Sequence, residues 1–440
     1  MLLLKMKFIV ETIRAEICYT YIYLSKDLLN KYNKAIDSVN YIVNIRTEVE
    51  HRGYKMRQHV IALVDCDCFY VSCERKDKPD LQGKPVCAVT TTSNKGIVLS
   101  RSKEVKALGI KMGAPMFQIK DQYPTCHFMP ARYERYGEIS KQVMDTIKTF
   151  SPDVEVTSID EAYIDLTSLD KVYKSTYTNI IKKIKQAVWD KVGIPVSIGL
   201  STSKILAKLA SDKAKNNGGI FVIPPDKILD IVGEMPINDV CGVGRKNSEH
   251  MKFNGIFTIK DFVEKENGWI RKAFGINGLS LKSELTGTAT SLVNNEPTAP
   301  QSIQVTRSFE DFTQSLDYLE HELNRHIHEA CQKLRRWNGF CQGVEVMLRT
   351  KDFKYYATEA KLSNPTNGDQ EVRMTAVRLL KSLYRPNLIY RSTGVTLKNL
   401  SYGETQQSLF EETKPHDDKL SHLVDELEAK FGRGIIKTGL

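Results

Sequence analysis

Three acidic residues stand where solvation alone does not account for them. Asp65 follows the apolar run Val60-Ile61-Ala62-Leu63-Val64, and Asp160 with Glu161 lies between two alternating stretches, Val154-Glu155-Val156-Thr157 and Ala162-Tyr163-Ile164-Asp165-Leu166. The apolar run predicts a strand buried on both faces; the alternating stretches predict a hairpin with adjacent carboxylates at or near its turn. If these strands are neighbours in one sheet, the three acids converge at one edge. Like charges so close repel, and divalent cations with oxygen ligands relieve that repulsion. Two Mg2+ ions bridging an attacking and a leaving oxygen is an economical arrangement for phosphoryl transfer. Spacing alone leaves open the competing reading, ordinary solvated turn acids.

The elements that must position these acids are legible in outline. A short mixed region, 69–134, contains the turn Gly109-Ile110-Lys111-Met112-Gly113, and a helix is expected from Glu134 to Phe150, stopped by Ser151-Pro152. Asn179 to Lys191 is amphipathic, Val196-Ser197-Ile198-Gly199-Leu200 predicts another strand, and Ser201 is placed to cap a helix running towards Ala214. This mixture of strands and helices points to an α/β or α+β first domain. Beyond Pro224-Pro225 the pattern changes to short helices, with Gly242 and Gly244 in a tight turn followed by Arg245 and Lys246. A helix-hairpin-helix of this kind presents backbone N–H groups to a phosphate, although a generic helical turn accounts for the same residues. Residues 294–302 form a polar, Pro-containing linker. The stretch 301–400 predicts a separate α+β module, with 15 basic against 11 acidic residues.

Composition sets the outer bounds. A chain of 440 residues, 41% hydrophobic and 26% charged, is long enough for two to four domains. With 26 Gly and 15 Pro and no long uncharged apolar run, it fits neither disorder, nor a collagen-like fold, nor a membrane span. The net charge of +10 suits a polyanionic partner without proving one. Nine cysteines, none in a Cys-x-x-Cys pair, point to reduced structural thiols in the cytoplasm; Cys66, Cys68 and Cys73 lack a second knuckle at zinc spacing. Residues 1–55 differ in texture, matching neither a secretory signal nor a transit peptide. They are either an appended helical segment or the product of a start placed upstream of Met56.

Several motifs, taken together, resemble those of the Y-family DNA polymerases, and within that family the UmuC branch with its plasmid, phage and Gram-positive members. The two principal ones are Val64-Asp65-Cys66-Asp67-Cys68-Phe69-Tyr70-Val71-Ser72-Cys73-Glu74 and Ser158-Ile159-Asp160-Glu161-Ala162-Tyr163. Others are Leu81-Gln82-Gly83-Lys84-Pro85-Val86, Lys106-Ala107-Leu108-Gly109-Ile110-Lys111-Met112-Gly113, the stretch from Ile198 to Ala210, and Val240-Cys241-Gly242-Val243-Gly244. The resemblance runs in order from about Val60 to Phe410.

The resemblance implies an α+β, multidomain right-hand polymerase: palm at 56–68 and 135–222, fingers at 69–134, thumb with a helix-hairpin-helix at 223–293, and an additional α+β little finger at 300–400. It implies a template-directed translesion DNA polymerase of the SOS damage response, adding dNTPs to a primer 3′ end opposite damaged DNA with two Mg2+ ions and no proofreading. Carried over residue by residue, Asp65, Asp160 and Glu161 are catalytic metal ligands, with the Cys66 carbonyl a further ligand, while Asp67 stays structural. Tyr70 takes the steric-gate position beneath the deoxyribose. Lys103 and Lys106 stand where many members have Tyr and Arg, so Lys106 supplies charge without a bidentate fork and Lys103 supplies no phenolic hydroxyl. Lys215 is a further candidate triphosphate contact, and Gly242, Gly244, Arg245 and Lys246 are candidate DNA contacts.

In the tail, 401–440, Gln406-Gln407-Ser408-Leu409-Phe410 resembles a peptide that docks on the bacterial sliding clamp, with Gln406 at the rim and Leu409 and Phe410 in an apolar pocket. Primer-template DNA, dNTP and the clamp are therefore implied partners. The UmuC branch adds a UmuD-type subunit and the recombinase filament, although the tail after Phe410 departs from that branch. Two other functions use the same residues: a non-catalytic DNA-binding accessory protein at stalled primer ends, and a metal-dependent nuclease.

Overall fold

A computed structural model of the chain describes residues 58–403 and 419–432. Residues 1–55 and the peptide Gln406–Phe410 lie outside the described residues. The chain divides into two compact units, one made of residues up to Phe69 with Glu134–Val293, the other of Tyr70–Tyr133 with the chain from Asn294 onward.

The first unit is organised around a five-stranded sheet. Its strands run in the order Val154–Val156, Glu161–Asp165, Ile61–Cys66, Val196–Ser201, Ile220–Val222. All pairs are antiparallel except the last. The apolar run Ile61–Val64 takes the middle position, where both faces are covered, and every residue of that strand is buried. Helices Tyr133–Lys148 and Tyr177–Val192 are amphipathic and bury their apolar faces; in the first, Tyr136, Ile139, Val143 and Ile147 recur at three- and four-residue intervals.

The hydroxyl caps differ from expectation. Ser201 is the last residue of its strand, and its Oγ donates to the Ile223 carbonyl at 2.9 Å. Helix Lys204–Ala214 is capped instead by Ser203, whose Oγ accepts from the Leu206 N–H at 3.3 Å. Strand pairing through Ile223 claims the first serine and leaves the next available hydroxyl to the helix. Residues 228–285 add short helices over a core that includes Leu206, Leu209, Val232, Ile256, Phe262 and Ile270.

In the second unit a three-stranded sheet has the order Val98–Arg101, Val86–Val89, His127–Pro130. A four-stranded antiparallel sheet follows, ordered Tyr355–Thr366, Gly339–Thr350, Tyr390–Tyr402, Ile303–Thr313. Helices Leu316–Arg335 and Asp369–Leu383 cover this sheet, sharing a core that includes Leu323, Ile327, Val346, Leu348, Leu380 and Val395. A further helix, Lys419–Phe431, reaches the first of these through ionic partners: the buried Arg335 guanidinium donates to Asp425 at 2.6 and 2.9 Å, and His328 contacts Glu428 at 3.1 Å. Among the described residues, no helix is long and apolar enough to cross a membrane.

Candidate active site

Strand alternation determines where the acids face. Ile61, Leu63 and Asp65 share one face of the central strand, and their direct partners are Asp165, Tyr163 and Glu161. Ile61, Leu63 and Tyr163 pack with Ala207, so this face lies under helix Lys204–Ala214. Asp65 and Glu161, one register step beyond that apolar patch, must therefore meet whatever the same helix presents next.

It presents Lys208. Its Nζ donates to Asp65 Oδ2 and to Glu161 Oε2, each at 2.8 Å. Lys215, at the helix C-terminus, adds a contact of 3.2 Å to Asp65 Oδ2 and one of 2.9 Å to Asp212. Burial opposes the charge on both lysines, yet the neighbouring carboxylates prevail and hold both pKa values above the ordinary lysine value: Asp65 and Glu161 for Lys208, Asp65 and Asp212 for Lys215. Asp65 itself is only 7% exposed. A carboxylate that buried requires a cation, and here it has two.

The remaining acid is fixed through its backbone. The Cys66 N–H donates to the Asp160 carbonyl at 2.8 Å, joining the hairpin turn to the end of the central strand. Asp160 Oδ1 accepts from Ser158 Oγ at 2.6 Å, and the Asp160 N–H donates to that same hydroxyl at 3.2 Å. Cys66 ends its strand at this acidic edge. Asp67, one residue past the strand, accepts from Ser197 Oγ at 2.8 Å.

Asp65, Glu161 and Lys215 are thus brought together, with the Asp160 backbone tied alongside. Lys208 is the member sequence reasoning did not single out. Its signal was present: Lys204, Lys208 and Lys215 recur at helical spacing on one face, and Lys204 likewise meets an acid, Glu155, at 2.6 Å.

The other candidates fall elsewhere. Tyr70 occupies the first turn of helix Phe69–Asp77, half-buried, with its ring edge-on to Tyr133 at 6.2 Å. Lys103 and Lys106 are exposed on the short helix Lys103–Ala107. Both groups belong to the second compact unit. At the glycine turn, Gly242 has φ +91 and Gly244 is the N-cap of helix Arg245–Phe253; Gly244, Arg245 and Lys246 are all exposed. The element before this turn is a single 3-10 turn, Ile237–Asp239, rather than a full helix, because the three-residue piece leads directly into the extended Val240.

Asp65 and Glu161 offer hard oxygen donors that already share one cation, so their chemistry suits Mg2+. Among the described residues no three His, Cys, Asp or Glu side chains form a ready-made metal cage. The third group at the carboxylate pair is the ammonium of Lys208.

The comparisons with known proteins converge on one family. Residues 64–212 match the impB/mucB/samB family model, and residues 300–409 match the model of that family's C-terminal domain. Protein UmuC of Salmonella typhimurium is 31% identical over 393 residues, covering 86% of this chain and 92% of the relative. Among solved structures, a Dbh–Dpo4 Y-family DNA polymerase chimera superposes with a TM-score of 0.69 at 25% identity, over 78% of this chain and all of that one. An insertion ternary complex of Dbh DNA polymerase gives a TM-score of 0.54 at 25% identity, again over 78% and 100%. The chain belongs to the impB/mucB/samB family, the Y-family DNA polymerases, and is a DNA-directed DNA polymerase with the family's α+β fold and C-terminal little-finger domain.

Proposed function

We propose that this polymerase adds dNTPs to a primer 3′ end opposite damaged template bases in the cytoplasmic SOS response, by a two-metal mechanism centred on Asp65, Asp160 and Glu161. The observation that carries the reading is the register pair Asp65–Glu161, whose carboxylates share one cation at 2.8 Å beside the Asp160 turn. In it, the palm comprises 56–68 and 135–222, the fingers 69–134, the thumb 223–293 and the little finger 300–400.

The chain's own residues take distinct parts. Asp65, Asp160, Glu161 and the Cys66 carbonyl would hold two Mg2+ ions. Bound there, the ions would supply a lowered pKa at the 3′-hydroxyl and charge stabilisation for the departing pyrophosphate. Lys215 turns its ammonium from Asp65 towards the triphosphate, and exposed Lys103 and Lys106 add charge there. Tyr70 lies under the deoxyribose and excludes a 2′-hydroxyl. Gly244 and the first N–H groups of helix Arg245–Phe253 meet a DNA phosphate, with Gly242 shaping the turn and Arg245 and Lys246 adding charge. Gln406, Leu409 and Phe410 dock on the sliding clamp.

Primer extension with Mg2+ and all four dNTPs, on undamaged and abasic templates, tests the reading. Elongation past the lesion is expected. Inert binding would make the chain an accessory protein at primer ends, and degradation would make it a nuclease.

A further inference from the structure

The ammonium between the two carboxylates has a role of its own. We infer that Lys208 is a built-in counter-ion: it holds Asp65 and Glu161 together while the site is free of metal, and it must give them up when a divalent cation binds. The inference rests on the assignment of these two acids as metal ligands and goes beyond it, because no part of the two-metal scheme requires a lysine here.

Lys208 Nζ lies 2.8 Å from one oxygen of each acid, Asp65 Oδ2 and Glu161 Oε2, so it is centred on the pair rather than attached to one member. The acids are direct cross-strand partners, an arrangement that is destabilising for like charges unless a cation intervenes. The helix that carries the lysine is anchored over this face, since its neighbours Ala207 and Leu209 are buried in separate cores and Gly199 lets the helix approach the sheet closely, so the ammonium leaves the acids by side-chain rotation alone. A dication drawn to the same oxygens must displace a positive charge already in possession. Lys208 therefore preorganises the edge and weakens cation binding at once. Lys215 pairs with Asp65 and Asp212 and not with Glu161, so it replaces Lys208 at only one of the two acids.

The test compares wild type, Lys208→Met and Lys208→Arg, each as the full chain without DNA or nucleotide. Mn2+ binding is followed by electron paramagnetic resonance, and thermal unfolding is recorded in EDTA and again in Mg2+. Lys208→Met should bind Mn2+ about tenfold more tightly or better, equivalent to about 1.4 kcal/mol of competition removed. It should unfold at lower temperature than wild type in EDTA, and Mg2+ should close that gap; Lys208→Arg should follow wild type in both. A structural lysine would lower the unfolding temperature equally with and without Mg2+ and leave Mn2+ affinity unchanged, and that pair of results overturns the inference. If Lys208→Met does not fold, the wild type still decides the matter, because Mg2+ must shift the Lys208 side-chain Nζ resonance as the ammonium leaves the carboxylates; an unmoved resonance on a metal-loaded protein overturns it. Failure of primer extension with the Mn2+ effect intact would count against the proposed reaction and leave the counter-ion standing.

Discussion

Gly199 is the position where a single added carbon should reveal how the site is built. It lies on the strand Val196–Ser201 opposite Leu63, on the face that carries Asp65, and a Cβ there would sit 2.1 Å from the Ser211 nitrogen, 2.2 Å from the Ala207 oxygen and 2.6 Å from the Ala210 carbonyl carbon. All three are backbone atoms, so no rotamer change relieves the overlap. Restoring a contact of about 3.5 Å requires helix Lys204–Ala214 to move off the sheet by on the order of 1 Å. Overpacking of this kind costs about 1–3 kcal/mol. The displacement also shifts Lys215, which is carried by this helix and proposed to meet the triphosphate, and misplacement on that scale lowers a rate by about a hundredfold. Gly199→Ala should therefore shift the denaturant midpoint downward at unchanged slope and depress single-nucleotide incorporation at 25 °C, where the variant is still folded. Unchanged stability together with unchanged incorporation would refute the argument that close helix–sheet approach sets the site.

Further expectations concern other parts of the chain. Tyr70→Ala should admit ribonucleotides in single-nucleotide incorporation assays, and unaltered sugar discrimination would remove Tyr70 from beneath the sugar. Arg335→Met, which strips the partner from Asp425 and Asp369 at a side chain only 1% exposed, should destabilise by roughly 3–5 kcal/mol in chemical denaturation. Hydrogen bonds to Asp369 raise His328 to about 9 against burial, with Glu428 assisting, so its protonated form stabilises the fold fully below pH 6.5 and that contribution is lost as pH rises through 9. The stability difference between wild type and His328→Gln should shrink across that window, and a constant difference would contradict the pairing. The buried His326 runs the opposite way: desolvation lowers it to about 4, so its contribution is present above pH 6.5 and lost as pH falls through 4.

What could be read in advance follows from how local each signal is. The run Val60–Val64 and the alternation around Asp160-Glu161 are periodic over five residues or so, and periodicity specifies faces; that is why Asp65 and Glu161 could be expected at one sheet edge. Lys208 needed one more fact, that helix Lys204–Ala214 docks on the face carrying Asp65, which is a matter of tertiary packing through Ala207 and Gly199. The cap was misplaced for a similar reason, since the choice between Ser201 and Ser203 depends on a hydrogen bond to Ile223, twenty-two residues away from Ser201. Helix Lys419–Phe431 escaped notice because its anchors, Arg335 and His328, are some ninety to one hundred residues distant in sequence.

Asp160 and Glu161, with Asp65, are the groups proposed to carry nucleotide addition. Primer extension by Asp160→Ala/Glu161→Ala, on a primer-template it still binds, tests this most directly. Elongation with Mg2+ and four dNTPs should be abolished while DNA binding persists. Extension at the wild-type rate by the double variant would contradict it.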